Sequence, residues 1–137
     1  TFIIPDTVKY QPVKKISFAC DMDKTEETDL VGKALFFSRI FNAELEIVNV
    51  DRSGSTISLE KAFSNHFVEQ NLQNMKHQTV HIAGNNTTRE LENYFDSHET
   101  DVIMLNPKKH NLFYRLFNYS ITKELAFHSK SPLLTMH

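Results

Sequence analysis

Glycine is scarce in this chain. Its 137 residues include three, Gly32, Gly54 and Gly84, where an average usage of roughly 7% would give about nine. Glycine reaches positive φ and lets a ligand lie close to the backbone. The three are too far apart for any pair to form a P-loop or a G-x-G-x-x-G fingerprint. Conventional P-loop and dinucleotide-binding readings are excluded on that ground. Cysteine is rarer still: Cys20 stands alone, which excludes an intrachain disulfide and any Cys₂-type zinc site. A lone thiol suits a reducing cytoplasm, the expected location. Tryptophan is absent. No apolar run approaches the roughly 20 residues of a membrane span. Thr1-Phe2-Ile3-Ile4-Pro5 lacks the basic flank and long apolar stretch of a signal peptide. The formal charge of −2 gives no general attraction to nucleic acid or an anionic membrane.

What is present is an ordinary globular balance, 40% apolar and 23% charged, of a length that fits one core. Lys15 to Cys20 reads as a strand ending at Asp21. Asp23-x-x-Glu26 has capping-box spacing. From about Thr25 to Asn42, Val31, Ala34, Leu35 and Ser38 recur at helical spacing, and Leu30, Phe37, Ile40 and Phe41 widen the apolar stripe. Glu44 to Val50 is rich in strand formers. Asp51-Arg52-Ser53-Gly54-Ser55 is a loop. Leu59, Ala62, Phe63, His66, Phe67 and Gln70 return to helical spacing. Thr79 to Ala83 reads as a short strand. Thr87-x-x-Glu90 is a second capping box, followed by Leu91, Tyr94, Phe95 and His98 on one helical face. Asp101 to Asn106 is nearly all apolar, as in a strand buried on both faces of a parallel sheet. A basic, aromatic stretch from Pro107 to Tyr119 leads to a helix over about Ser120 to His128 and a last strand, Pro132 to Met136.

This alternation implies βαβ units with right-handed crossovers. The expected fold is α/β: a five-stranded, parallel, doubly wound, Rossmann-like sheet of order 3-2-1-4-5, with helices on both faces. Ligands of such sheets bind beyond the carboxyl ends of the strands, where the order switches. The segments after the first strand (Cys20 to Lys24) and the fourth (Pro107 to Tyr119) are therefore the places for a site.

Those pieces, in that order, resemble the universal stress protein family over about Lys14 to His137. The first strand with Asp21 resembles the family's opening strand, Cys20 standing in the Thr place. Glu44 to Val50 resembles its second strand, and Gly84 sits where the family often has glycine. Asp101 to Asn106 resembles its Asp-Leu-Ile-Val-Met-Gly strand. Ser120-Ile121-Thr122-Lys123-Glu124-Leu125 resembles the helix after its phosphate loop, and Ser131-Pro132-Leu133-Leu134 its closing strand. The resemblance implies a universal-stress-type domain over 14–137. Residues 1–13 are then a strand end and linker, and Thr1 to Pro5 resembles the closing strand of a preceding unit, as in tandem members of the family.

In the ATP-binding branch of that family the fourth strand runs into Gly-x-x-Gly, nine residues, then Gly-Ser or Gly-Thr, a cradle of backbone amides. By position those glycines fall on Asn106, Lys109 and Tyr119, and the hydroxyl on Ser120. Pro107 also removes an amide donor. The resemblance therefore points to the branch that keeps the fold and dimerises without ATP. Asp21, Asn106, Lys109 and Ser120 form a vestigial nucleotide site.

Each candidate has a plainer reading. Asp21 holds a nucleotide, or caps a turn or pairs with a lysine. Ser120 meets a phosphate, or is the N-cap of the last helix. Cys20 is a redox sensor, or a buried thiol. Lys108, Lys109, His110 and Arg115 with Phe113, Tyr114, Phe117 and Tyr119 form a ligand or partner surface, or simply pack the loop down. The seven histidines form no zinc motif; His66 and His98 read as core or boundary residues, and His77 and His81 span a loop-to-strand junction. No nucleophile elbow is present, and no metal site is expected. The expected function is a non-catalytic stress-response or regulatory module without cofactor. It would form a homodimer through the closing strand, Leu133 to Met136, or pair with a tandem domain. The alternative is a module that binds ATP, another adenine nucleotide or a small anion on a remodelled loop.

Overall fold

The computed structural model describes residues 2–19, 28–51, 70, 72–105 and 130–136. Its strands are β1 (Phe2–Ile3), β2 (Lys15–Ala19), β3 (Glu44–Asp51), β4 (His77–Ala83), β5 (Val102–Leu105) and β6 (Leu133–Thr135). Two described helices, α1 (Thr28–Phe41) and α2 (Thr87–Ser97), lie between β2 and β3 and between β4 and β5. The helices expected over Leu59 to Gln70 and Ser120 to His128 fall largely or wholly outside the described residues, as does the first capping box.

The sheet has six strands in the order β1-β6-β5-β2-β3-β4. The five from β2 onward run parallel. The sixth corrects the expectation of an all-parallel sheet: β1 lies antiparallel on the outer edge of β6, with Phe2 opposite Leu134 and Ile3 opposite Leu133. The sheet is therefore mixed. The strand character of Phe2 and Ile3 is local, but the choice of partner is not.

Alternation along the central strands separates two cores. Ile16, Phe18, Leu45, Ile47, Val102 and Met104 pack with Leu30, Val31, Ala34 and Leu35 of α1. Ala19, Val48, Ile103 and Leu105 pack on the other face with Leu91, Tyr94 and Phe95 of α2. Phe18, Ile47 and Met104 are fully buried, each contributing about 1.5–3 kcal/mol of apolar transfer. The apolar stripe of α1 is narrower than expected: Ile40 is 60% exposed and Phe41 43%.

Helix ends follow from single residues. Asn42, at φ 51°, ends α1 in a Schellman motif, its N–H donating to Arg39 O and that of Ala43 to Ser38 O. The buried Ser38 hydroxyl donates to Ala43 O at 2.5 Å. The N-cap of α2 is Asn86, whose side chain accepts from Arg89 N. It lies one residue before the expected Thr87. The amide carbonyl of Asn86 reaches the same orphan donors that a threonine hydroxyl would. Glu90 folds back over Gly84, where a Cβ would run into Glu90 Cγ.

Candidate functional site

β2 and β5 are neighbours at the centre of the sheet, and they end together, Ala19 beside Leu105. The order departs from β2 in both directions, toward β3 and toward β5. This is the switch point at which parallel sheets hold ligands. Asp21 follows β2 and Asn106 follows β5 in the chain. Asp21, Asn106, Lys109 and Ser120 themselves lie outside the described residues, as do Cys20, His66 and the basic, aromatic loop Lys108 to Tyr119. The described floor of this edge is apolar: Ala19 and Leu105 are both buried. Gly84 and the N-terminus of α2 lie beyond the end of β4 on the same side of the sheet.

The opposite edge, at the amino ends of the strands, carries the charge. Glu46, the third residue of β3, is 1% exposed. Lys15 Nζ stands 2.6 Å from its Oε1. Ser17 Oγ donates to Oε2 at 2.7 Å, and Gln78 Nε2 donates to Oε1. The Tyr94 hydroxyl of α2 also hydrogen-bonds the carboxylate. Thr100 Oγ1 lies 2.8 Å from Ser17 Oγ and is buried with it. A carboxylate removed from water needs this many partners. Burial pushes the Glu46 pKa up, but the Lys15 and Ser17 hydrogen bonds, the Lys15 charge and the Tyr94 hydroxyl outweigh it. The net result lies below the ordinary carboxylate value. Tyr94 moves the other way, pushed up to about 12 by burial and then by the Glu46 charge.

Asp101 completes this edge. One carboxylate oxygen accepts from both Lys14 N and Lys15 N at 2.8 Å, and the other from Gln11 Nε2 at 3.0 Å. A groove of about 620 Å³ opens on the α1 side of the same edge, lined by Lys14, Lys15, Arg39, Glu44 and Lys76 among others. Two of its cations are paired, Lys76 with Glu44 at 2.7 Å and Lys15 with Glu46.

The histidines need two corrections. His77 and His81 both belong to β4. Four residues of strand separate them by about 13 Å, too far to share a metal. His98 is exposed. It caps the end of α2, stacks on Tyr94 with ring centroids 4.0 Å apart, and places Nδ1 3.0 Å from Tyr94 O. Among the described residues no three His, Cys, Asp or Glu side chains gather as metal ligands. No helix among them is long and apolar enough to cross a membrane.

Sequence reasoning missed Glu46. The available signal was a carboxylate inside Leu45-Glu46-Ile47-Val48, a segment flanked on both sides by sheet.

A switch point between β2 and β5 under helices on both faces marks a doubly wound α/β fold, and solved universal stress proteins are what this chain is similar to in fold. A universal stress protein in complex with cAMP aligns with a TM-score of 0.63 at 15% identity, over 93% of this chain and 98% of that one. A member from Archaeoglobus fulgidus DSM 4304 aligns at 0.61 and 13% identity, over 93% of this chain but 46% of the other, so this chain spans about half its length. A third, from Burkholderia pseudomallei, aligns at 0.58 and 16%, over 93% and 98%. No protein-family model matches the sequence, and no curated protein matches it significantly.

Proposed function

We propose that the chain is a non-catalytic, cytoplasmic stress-response module of the universal stress type, with a degenerate nucleotide loop. The observation that carries this is the trio Asn106, Lys109 and Tyr119, standing where ATP-binding members of the resembled family have glycine. A side chain at a position that needs glycine would take up space a triphosphate needs and restrict the backbone angles of an amide cradle. Ser120 and Asp21 keep the polar character of the old site, and Asn106 and Lys109 complete its vestige. The module acts by pairing with a second unit of the same fold at the edge that holds β6. That unit is a second copy or a tandem domain to which residues 1–13 connect. Both forms have a neighbour of fitting length: one similar chain is spanned to 46%, three others to 93–98%.

A second reading has one observation in its favour. The similar protein solved with cAMP binds a nucleotide with a single phosphate. Such a ligand asks less of the loop than ATP, and Ser120 with Lys109 supplies one hydroxyl and one cation. Isothermal calorimetry with ATP and with cAMP, plus release of small molecules from the purified protein, separates the readings. No heat and no released nucleotide is the expected result. Micromolar binding that Asp21→Ala and Ser120→Ala weaken would establish the second reading instead. A turnover assay on ATP that shows hydrolysis would end both.

A further inference from the structure

Among the described residues β4 has one strand neighbour, β3, and its other edge is open. Leu45 N donates to Lys76 O, so Lys76, Gln78, Val80 and Ile82 turn their backbone groups toward β3. By alternation His77, Thr79, His81 and Ala83 turn theirs outward. Their register with Leu45, Ile47 and Asn49 sets His77, Thr79 and His81 on the α1 face of the sheet. The edge reads His-Gln-Thr-Val-His-Ile-Ala, without the lysine or proline that commonly guards an open strand.

This edge is complementary to itself. Its outward residues run His77, Thr79, His81, symmetric about Thr79. A two-fold axis through Thr79 would lay β4 antiparallel on β4 of a second copy. Thr79 would then face Thr79, and His77 would face His81 of the second copy, all on one face of the joined sheet. These outward residues would exchange both N–H···O bonds, with Cα atoms about 5.5 Å apart. The Thr79 hydroxyl supplies a separate observation: it is buried and has no hydrogen-bond partner. A second threonine directly opposite gives it one.

The histidines supply a third. Both are exposed. His77 Nδ1 lies 3.0 Å from Met75 O, the backbone tether common to ligating imidazoles, which leaves Nε2 for an ion. Within one chain His77 and His81 stand too far apart to share a metal. Across the axis each meets the other's counterpart, at a spacing that lets two imidazoles bracket one ion with bonds of about 2.0–2.1 Å.

We propose that β4 is a metal-bridged pairing edge whose partner is β4 of a second copy. The contact is isologous and centred on Thr79. A divalent ion of the zinc class sits at each end, between His77 of one copy and His81 of the other. Imidazole ligands favour zinc, copper or nickel over magnesium and calcium.

Light scattering on the full, untagged chain tests this, after EDTA has stripped it of metal. Zinc chloride should at least double the mass, magnesium chloride should not, and EDTA should reverse the change. His77→Ala and His81→Ala each remove one ligand from both sites, so each should abolish the response. Circular dichroism checks that these exposed positions leave the fold intact. An equimolar mixture of the two variants should respond again, because a mixed pair keeps one whole site, His81 of the first facing His77 of the second. No zinc response in wild type, a response that survives in either variant, or a mixture that stays silent overturns the proposal. The readout is the ratio of masses with and without zinc, so pairing at β6, present in both, does not enter it.

Discussion

The two ends of the sheet are built on different physics. At the amino ends a buried carboxylate, Glu46, is met by Lys15, Ser17, Gln78 and Tyr94, and Asp101 gathers the backbone amides of Lys14 and Lys15. At the carboxyl ends β2 and β5 stop in Ala19 and Leu105, both buried and neutral. A parallel sheet needs its strands held in register somewhere, and its ligands come to the carboxyl ends. Fixing register with charge at the amino ends leaves the other edge free to change its loops. That arrangement explains how a chain 13–16% identical to proteins of the same fold keeps the sheet.

The largest way to break this contrast is Lys15→Met. Glu46 then remains buried without a cation, and unfolding in urea should show a loss of about 3 kcal/mol, the usual scale for one orphaned partner of a buried pair. Lys15→Met/Glu46→Gln should recover part of it, since no unpaired charge is left.

Acid probes the same group in the wild type. The folded-state pKa of Glu46 is lowered, so its contribution is present above the unfolded-state value and is lost as pH falls through the folded one. The melting temperature should fall below about pH 4.5, less steeply in Glu46→Gln. At the alkaline end Tyr94, raised to about 12, stabilises fully below its ordinary value of 10.0. That contribution disappears as pH climbs toward 12. Tyr94→Phe should flatten the alkaline limb.

Asp101→Ala should cost about 1.5 kcal/mol by the same urea titration, because two backbone amides lose a charged acceptor that water partly replaces. The smallest effect belongs to the carboxyl end. Gly84→Ala crowds Glu90, whose flexible side chain can yield, so a loss of about 1 kcal/mol is expected. Glu90→Ala should relieve it in a double-mutant cycle. A carboxyl-end change as costly as Lys15→Met would erase the contrast.

The parallel strands were legible because their residues declare themselves locally. Val102 to Leu105 are all buried, and Leu45 and Ile47 alternate with Glu46 and Val48 onto opposite faces. Glu46 was not legible as a buried group, because a glutamate in a strand ordinarily marks a solvent face, and only Lys15, Gln78 and Tyr94 arriving from three other elements reverse that. The exposure of His98 was hidden for a related reason: helical spacing gave its face, but it falls where α2 has already ended. β1 was readable as a strand but not as the partner of β6, since pairing between distant segments has no local signature. Asp21, Asn106, Lys109 and Ser120 rest on position in the sequence and on their place after β2 and β5.

The β1–β6 pair joins segments about 130 residues apart, the most expensive loop closure in the sheet. Two residue pairs give little return on that closure, so β1 should dock last in folding and open first in the native state. Amide exchange would find Phe2 and Ile3 unprotected long before the Ile103 amide, which donates to Pro132 O on the inner side of the same strand.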